Sequence, residues 1–162
     1  MKITVDPFDK TSIDRAIKTL NRYKRTFAYK EKMLRQRLAS IGATLVSLEF
    51  SRAIYSGTND VTVRVDDDGT KATVYAEGEA VMFIEFGTGD KYGHGHPMNE
   101  EFGYGPGTYS DGPNGKHHWN DPKGWYFGHG QHTFGNPPNM AMIHARDEMV
   151  ARVTEIAREV FR

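Results

Sequence analysis

The feature that most constrains this chain is a long apolar stripe near its N-terminus. Ile13, Ile17, Leu20, Phe27, Leu34, Leu38, Ile41, Leu45 and Leu48 recur at steps of three, four or seven, which places them on one face of an α-helix. Such a stripe is first of all a surface for core packing. Lys24 and Glu31 stand where it would continue, so the pattern fits either one long helix or two helices meeting near Thr26 to Tyr29. Ser12 is the expected N-cap, with Asp14 and Arg15 following it. Gly42 lies inside the pattern, where glycine costs about 1 kcal/mol relative to alanine unless a neighbour packs against it.

Beyond 55–60 the hydrophobic period changes from helical to two. Val61, Val63 and Val65 alternate with Thr62 and Arg64, and Ala72, Val74 and Ala76 alternate with Thr73 and Tyr75. Asp66-Asp67-Asp68-Gly69 between them supplies turn chemistry, so the two strands make a hairpin. A calcium loop of the EF-hand kind needs ligands spread over about twelve residues and closed by a glutamate, which this stretch lacks. Ala80 to Phe86 is a nearly continuous apolar run whose length suits a buried strand or a short buried helix. Its odd member is Glu85, which must face water or be paired, because an unpaired buried charge is expensive.

Residues 87–135 hold most of the glycines, six of the seven histidines and both tryptophans. No helical or strand period survives there, and a stretch this long is expected to be disordered or functional. Trp119, Trp125, Tyr126 and Phe127 argue against full disorder, since disordered segments are poor in aromatics. These four are the candidate contact residues: they either meet a partner subunit or cover their own core. Asn136-Pro137-Pro138-Asn139 ends the loop and, through asparagine capping and proline in a first turn, is expected to begin the last element. Met142, Met149, Val153, Ile156 and Val160 then recur at helical spacing, with Arg158 and Arg162 near the C-terminal end of the helix dipole.

The expected fold class is therefore α+β. An N-terminal helix or helix pair and a C-terminal helix pack on a small antiparallel sheet, in one domain spanning 1–162 with the 87–135 insertion inside it. Formal net charge is zero, so no whole-molecule field draws nucleic acid or an anionic membrane, and no specific nucleic-acid partner is expected. The basic run Lys24, Arg25, Lys30, Lys32, Arg35 and Arg37, against Glu31 alone, is read as a solvated helix face. The absence of cysteine removes disulfides, cysteine zinc sites and a thiol nucleophile. Met1 to Lys10 has no apolar leader core and no stretch is long enough to cross a bilayer, so an intracellular product is expected.

Chemical signatures are sparse. His94, His96, His117, His118, His129, His132 and His144 are the only basis for a metal, but none sits in a His-Glu-x-x-His arrangement. The glycine runs lack nucleotide-loop spacing, there is no Gly-x-Ser-x-Gly elbow, and the sequence places no pair of acids together for glycoside chemistry. No catalytic residue, cofactor or metal is expected. The alternative is a metal-binding or zinc-dependent hydrolytic prophage protein that uses the loop histidines.

Taken in order, the helix, the hairpin, Ile84-Glu85-Phe86-Gly87-Thr88-Gly89, the glycine-rich insertion, Trp125-Tyr126, and His132-Thr133-Phe134-Gly135-Asn136-Pro137-Pro138-Asn139-Met140 before an amphipathic helix resemble one family. It comprises the tail-completion, or head–tail joining, minor structural proteins of long-tailed bacteriophages and prophages. The resemblance implies a non-enzymatic subunit that assembles into a homo-oligomeric ring. Its partners would be the head connector and the tail-tube or terminator proteins, next to the channel through which DNA passes. It also implies residence in the host cytoplasm during assembly and then in the virion.

Overall fold

A computed structural model of the chain describes residues 2–89, 92, 95–98, 101, 121–127 and 130–162. The N-terminal stripe forms one helix, α1 (Lys10–Ser51), of 42 residues and hence about 63 Å at ~1.5 Å per residue. Lys24 and Glu31 do not break it, because a polar side chain leaves the backbone ladder intact where proline would not. The cap is Asp9 rather than Ser12. The Asp9 carboxylate accepts the Thr11 N–H at 2.9 Å, a charged acceptor against the positive end of the helix dipole, while the Ser12 hydroxyl turns back to accept the Asp6 N–H.

Strands β1 (Thr62–Asp67) and β2 (Ala72–Glu77) pair antiparallel in the expected register, with Val63 opposite Ala76 and Val65 opposite Val74. Asp68 fills the turn, its carboxylate accepting the N–H groups of Thr70 and Lys71 and the Thr70 hydroxyl, all within 2.8 Å. These donors hold its pKa down to about 2. The apolar run becomes a short helix, α2 (Val81–Phe86), set in place by Asp60, which accepts the N–H groups of Glu79 and Ala80. Those two amides hold the Asp60 carboxyl below the usual range.

Within the insertion, β3 (Trp125–Phe127) and β4 (Gln131–Thr133) form a second two-stranded antiparallel sheet. At three residues each, these strands are too short to show a period in the sequence. The last helix, α3, runs from Ala141 to Phe161. The fold is α+β, a long N-terminal helix, a short α2 and a C-terminal helix with small antiparallel sheets, and among the described residues no helix is long and apolar enough to cross a membrane.

The core lies where the C-terminal half of α1 meets α2, α3 and the hairpin. Val46, Phe50, Ala80, Ile84, Ala141 and Ala145 are its buried members, with Val63, Val74 and Ala76 packed against them. The deepest line on α1 is Ala39, Gly42, Val46 and Phe50, beside the Ile/Leu stripe rather than on it. Small residues on that line let both neighbours come close: a Cβ at Gly42 would lie 3.2 Å from Met149 Cε and 3.5 Å from Val74 Cγ2.

Helix α3 runs antiparallel to α1. Phe161 stacks on Phe27 at 5.7 Å, Lys30 donates to the Arg162 carbonyl, Arg37 pairs with Glu159, and His144 approaches Glu49. With 21 residues, α3 is half as long as α1 and ends level with Phe27, so Lys10 to Thr26 projects about 25 Å beyond it. Ile13, Ile17 and Leu20 were expected in a core. They are exposed instead, because no described element reaches that far along α1.

Candidate functional site

The physical basis of the Glu-Phe-Gly-Thr and Asn-Pro-Pro stretches is a clasp at the root of the insertion. Thr88 and Asn136 exchange backbone hydrogen bonds at 2.9 and 3.2 Å. The Thr88 hydroxyl donates to Asn136 Oδ1 at 2.5 Å, and Asn136 Nδ2 donates to the Phe83 carbonyl at 3.0 Å. The two chains come so close that side chains are excluded. Gly87 (φ +77°) would place a Cβ 2.7 Å from Pro138 N, and Gly135 (φ +96°) would place one 1.9 Å from the Thr88 carbonyl oxygen. Both angles lie in the region that L side chains rarely adopt.

Glu85 is the paired carboxylate of the two readings its sequence allowed, and only 5% of its surface is exposed. One oxygen faces His96 Nε2 at 3.2 Å, and the other accepts the Met142 N–H at 3.0 Å. His96 is equally buried and packs on Phe86 with ring centroids 4.1 Å apart. Its Nδ1 accepts the Met98 N–H at 3.1 Å, which requires a lone pair there and so puts the ring proton on Nε2, facing the carboxylate.

This arrangement explains how α3 begins. Met140, at the cap position, has φ +53° and no side-chain cap, so neither Asn136 nor Asn139 plays that part. Asn139 Nδ2 donates instead to the Glu49 carbonyl at the end of α1. Glu85 of α2 supplies the missing acceptor to the first turn of α3, where the helix dipole also favours a negative charge. Beside it opens a cleft of about 580 Å³ lined by Tyr75, Met82, Phe86, Met98, Met142 and Arg146 among others. Through these contacts the Glu85–His96 pair ties α2, the loop root and α3 together.

Of the four aromatic candidates, Trp119 lies outside the described residues and Phe127 is placed by its backbone in β3. Strand alternation sends their neighbours to opposite sides. Trp125 is half-buried and lines a small cavity with Tyr55, Phe83, Thr88 and Asn136, covering its own subunit. Tyr126 is 74% exposed and leads a ladder of rings, Tyr126, His132 and Phe134, with successive centroids 4.8 Å apart. In the sequence His132 stands only among the possible metal ligands and Phe134 only in the family-like stretch; that they stack with Tyr126 follows from the β3–β4 pairing.

Among the described residues, no three His, Asp or Glu side chains gather as a metal ion requires. His96 is committed to Glu85, His132 donates its Nε2–H to the Lys123 carbonyl at 2.9 Å while its ring packs in the ladder, and His144 sits by Glu49. His94, His117, His118 and His129 lie outside the described residues. The basic run divides: Lys30, Arg35 and Arg37 are tied to the Arg162 carbonyl, Asp67 and Glu159. Lys24 and Arg25 make no described ion pair. In comparison with known proteins, no family model matches the sequence, and neither a curated protein nor a solved structure matches it.

Proposed function

We propose that this chain is a structural subunit of a phage head–tail interface, a tail-completion or head–tail joining protein that acts by ring assembly and docking rather than catalysis. The observation that carries the assembly part is the projecting half of α1. Ile17 and Leu20 are about half exposed, and with Ile13 and Tyr23 they make an apolar face on the stretch of α1 that lies beyond the end of α3, where Phe27 meets Phe161. Soluble monomers rarely leave a contiguous apolar face of more than a few hundred Å² open to water, and such faces mark contact surfaces. The phage part rests on the order of elements and on the clasp that joins the Gly87-Thr88 and Gly135-Asn136 stretches, which gives the family-like motifs a structural task.

Native mass spectrometry of the untagged protein tests this reading, since one spectrum reports subunit number and bound metal. A metal-free ring-sized oligomer is the expected result. A monomer carrying stoichiometric zinc would replace it with the metalloprotein. In a phage that encodes the chain, deletion of its gene should leave filled heads and free tails unjoined, and normal virions from the deletion would end the proposal.

A further inference from the structure

We infer that residues 2–6 of one copy of the chain add, as an antiparallel third strand, to the outer edge of β2 in a second copy. This rests on the assembly reading above and specifies its lateral contact. Lys2-Ile3-Thr4-Val5-Asp6 alternates polar and apolar side chains around three β-branched residues in a row, the pattern of a half-buried strand. It has no sheet of its own. Among the described residues Lys2 to Val5 make no backbone hydrogen bond, and Val5 is 45% exposed.

The hairpin has the converse deficit, because it has two strands only and the outer side of β2 carries no ladder partner. The Asp68 N–H bonds the Lys71 carbonyl beside the turn, and bonded pairs recur at every second residue from there. Thr73, Tyr75 and Glu77 therefore bond to β1, while Val74 and Ala76 turn their N–H and C=O outward, where no described group meets them. The cleft of about 580 Å³ touches Val74, Tyr75 and Ala76 in succession. Successive strand side chains point to opposite faces, so a cleft that meets all three runs along the edge itself. Its other walls are apolar, with Met82, Phe86, Met98, Met142 and Ile143 among them.

Distance rules out pairing within one chain. Val74 lies against Gly42, and from Lys10 to Gly42 α1 rises about 48 Å. From Val5 to Lys10 the chain spans at most about 18 Å fully extended, so the segment falls about 30 Å short of its own hairpin. The projecting half of α1 thus carries the strand away from its own sheet and toward another. Segment and edge are different surfaces, so the contact is heterologous, and it generates a ring when the rotation between copies closes.

Side chains set the register. Pairing Ile3 with Ala76 and Val5 with Val74 puts both apolar side chains on the core side of the sheet, toward the cleft, and leaves Lys2 by Glu77, Thr4 by Tyr75 and Asp6 by Thr73 on the wet face. A parallel strand would set Asp6 beside Glu77, a like-charge pair, whereas the antiparallel one leaves Glu77 to its Arg64 partner. In this register Asp6 faces away from β2, as its N–H does already in bonding the Ser12 hydroxyl. Pro7 has no N–H and ends the ladder.

Two measurements test this. Ile3→Pro with Val5→Pro removes both ladder donors from a segment that makes no backbone bond in its own subunit, so far-UV circular dichroism and the thermal midpoint should match wild type. Sedimentation velocity should show wild type associated and the proline variant weakened by at least about tenfold. The chain has no cysteine, so introduced thiols report cleanly. Thr4→Cys protein mixed with Tyr75→Cys protein should give a disulfide-linked pair under mild oxidation, because opposed non-bonded positions bring Cα atoms to about 4.5 Å, within disulfide reach. Thr4→Cys mixed with Asp66→Cys, on the other strand, should give none. Undiminished association of the proline variant, or cross-linking to Asp66→Cys in preference to Tyr75→Cys, overturns the strand contact and leaves the assembly reading standing. A monomeric wild type overturns both, including the case in which the edge takes a strand from a different protein.

Discussion

Replacing Glu85 by glutamine removes one charge and adds no bulk, which makes it the sharpest probe of how the loop root is held. The carboxylate accepts from two donors that point at different oxygens, His96 Nε2–H at 3.2 Å and Met142 N–H at 3.0 Å. Glutamine keeps one acceptor and turns an NH₂ toward the other donor, so one buried N–H loses its partner. A hydrogen bond to a charged group contributes about 1.5–3 kcal/mol, and an orphaned buried donor costs about 1–3 kcal/mol more if it cannot reach water. Partial relaxation at the cleft edge brings the expected loss to about 3 kcal/mol. For a chain of this size that is a fall of roughly 6–12 °C in the thermal midpoint. Urea unfolding followed by circular dichroism is the assay, with an unchanged m-value showing that the native state is otherwise intact. His96→Leu and the double variant complete a cycle whose coupling should exceed about 1 kcal/mol. If Glu85→Gln loses less than about 0.5 kcal/mol, the carboxylate is not the acceptor that starts α3, and the capping argument fails.

Other substitutions probe separate links in the chain of reasoning. Gly42→Ala should stabilise by up to about 1 kcal/mol, because the new methyl meets Val74 Cγ2 at an ordinary contact distance of 3.5 Å and, at 3.2 Å, the flexible end of Met149, while the helix gains propensity. Gly42→Leu should destabilise by about 1–3 kcal/mol by forcing α3 and β2 off α1, and equal effects of the two in urea unfolding would refute the close approach. Gly135→Ala places a methyl 1.9 Å from the Thr88 carbonyl at φ +96° and should cost more than about 2 kcal/mol, and a neutral result would mean that the clasp does not form. Asp68 has its folded pKa lowered to about 2, so its contribution is complete above the unfolded value of 3.8 and disappears as pH falls through about 2. The stability difference between wild type and Asp68→Ala should therefore close between those pH values, and an NMR titration that found an ordinary carboxyl would contradict it.

Periodicity made the secondary structure legible where an element was long. The stripe from Ile13 to Leu48, the alternation around Val63 and Val74, and the spacing from Met142 to Val160 each correspond to an element in the structure. Ends were harder to read, because a cap is decided by whichever acceptor reaches the free N–H groups, and for α3 that acceptor comes from Glu85, far away in sequence. Burial was misjudged for the same reason. Ile17 and Leu45 look alike in the stripe, but Leu45 packs against the core while Ile17 is half exposed. The candidate aromatics were legible as a group and not as individuals: strand parity separates half-buried Trp125 from exposed Tyr126, and a three-residue strand has no period from which parity can be read.

The two exposed surfaces lie at opposite poles of one rigid rod. The clasp and the ring ladder are anchored to the C-terminal end of α1, where Asn59 and Asn139 donate to the carbonyls of Phe50 and Glu49. The arm occupies the other end, and from Leu20 to Glu49 the helix rises about 44 Å. Between them α1 is continuous and backed by α3, so the end that holds the insertion cannot shift without moving the end that holds the arm. A subunit that had only to bind one partner would need one such surface. A subunit that must bind its neighbours around an axis and other proteins along that axis needs two, fixed relative to each other. Under the proposed head–tail assembly, that requirement would supply a physical reason for a 42-residue helix in a chain whose core needs only its second half.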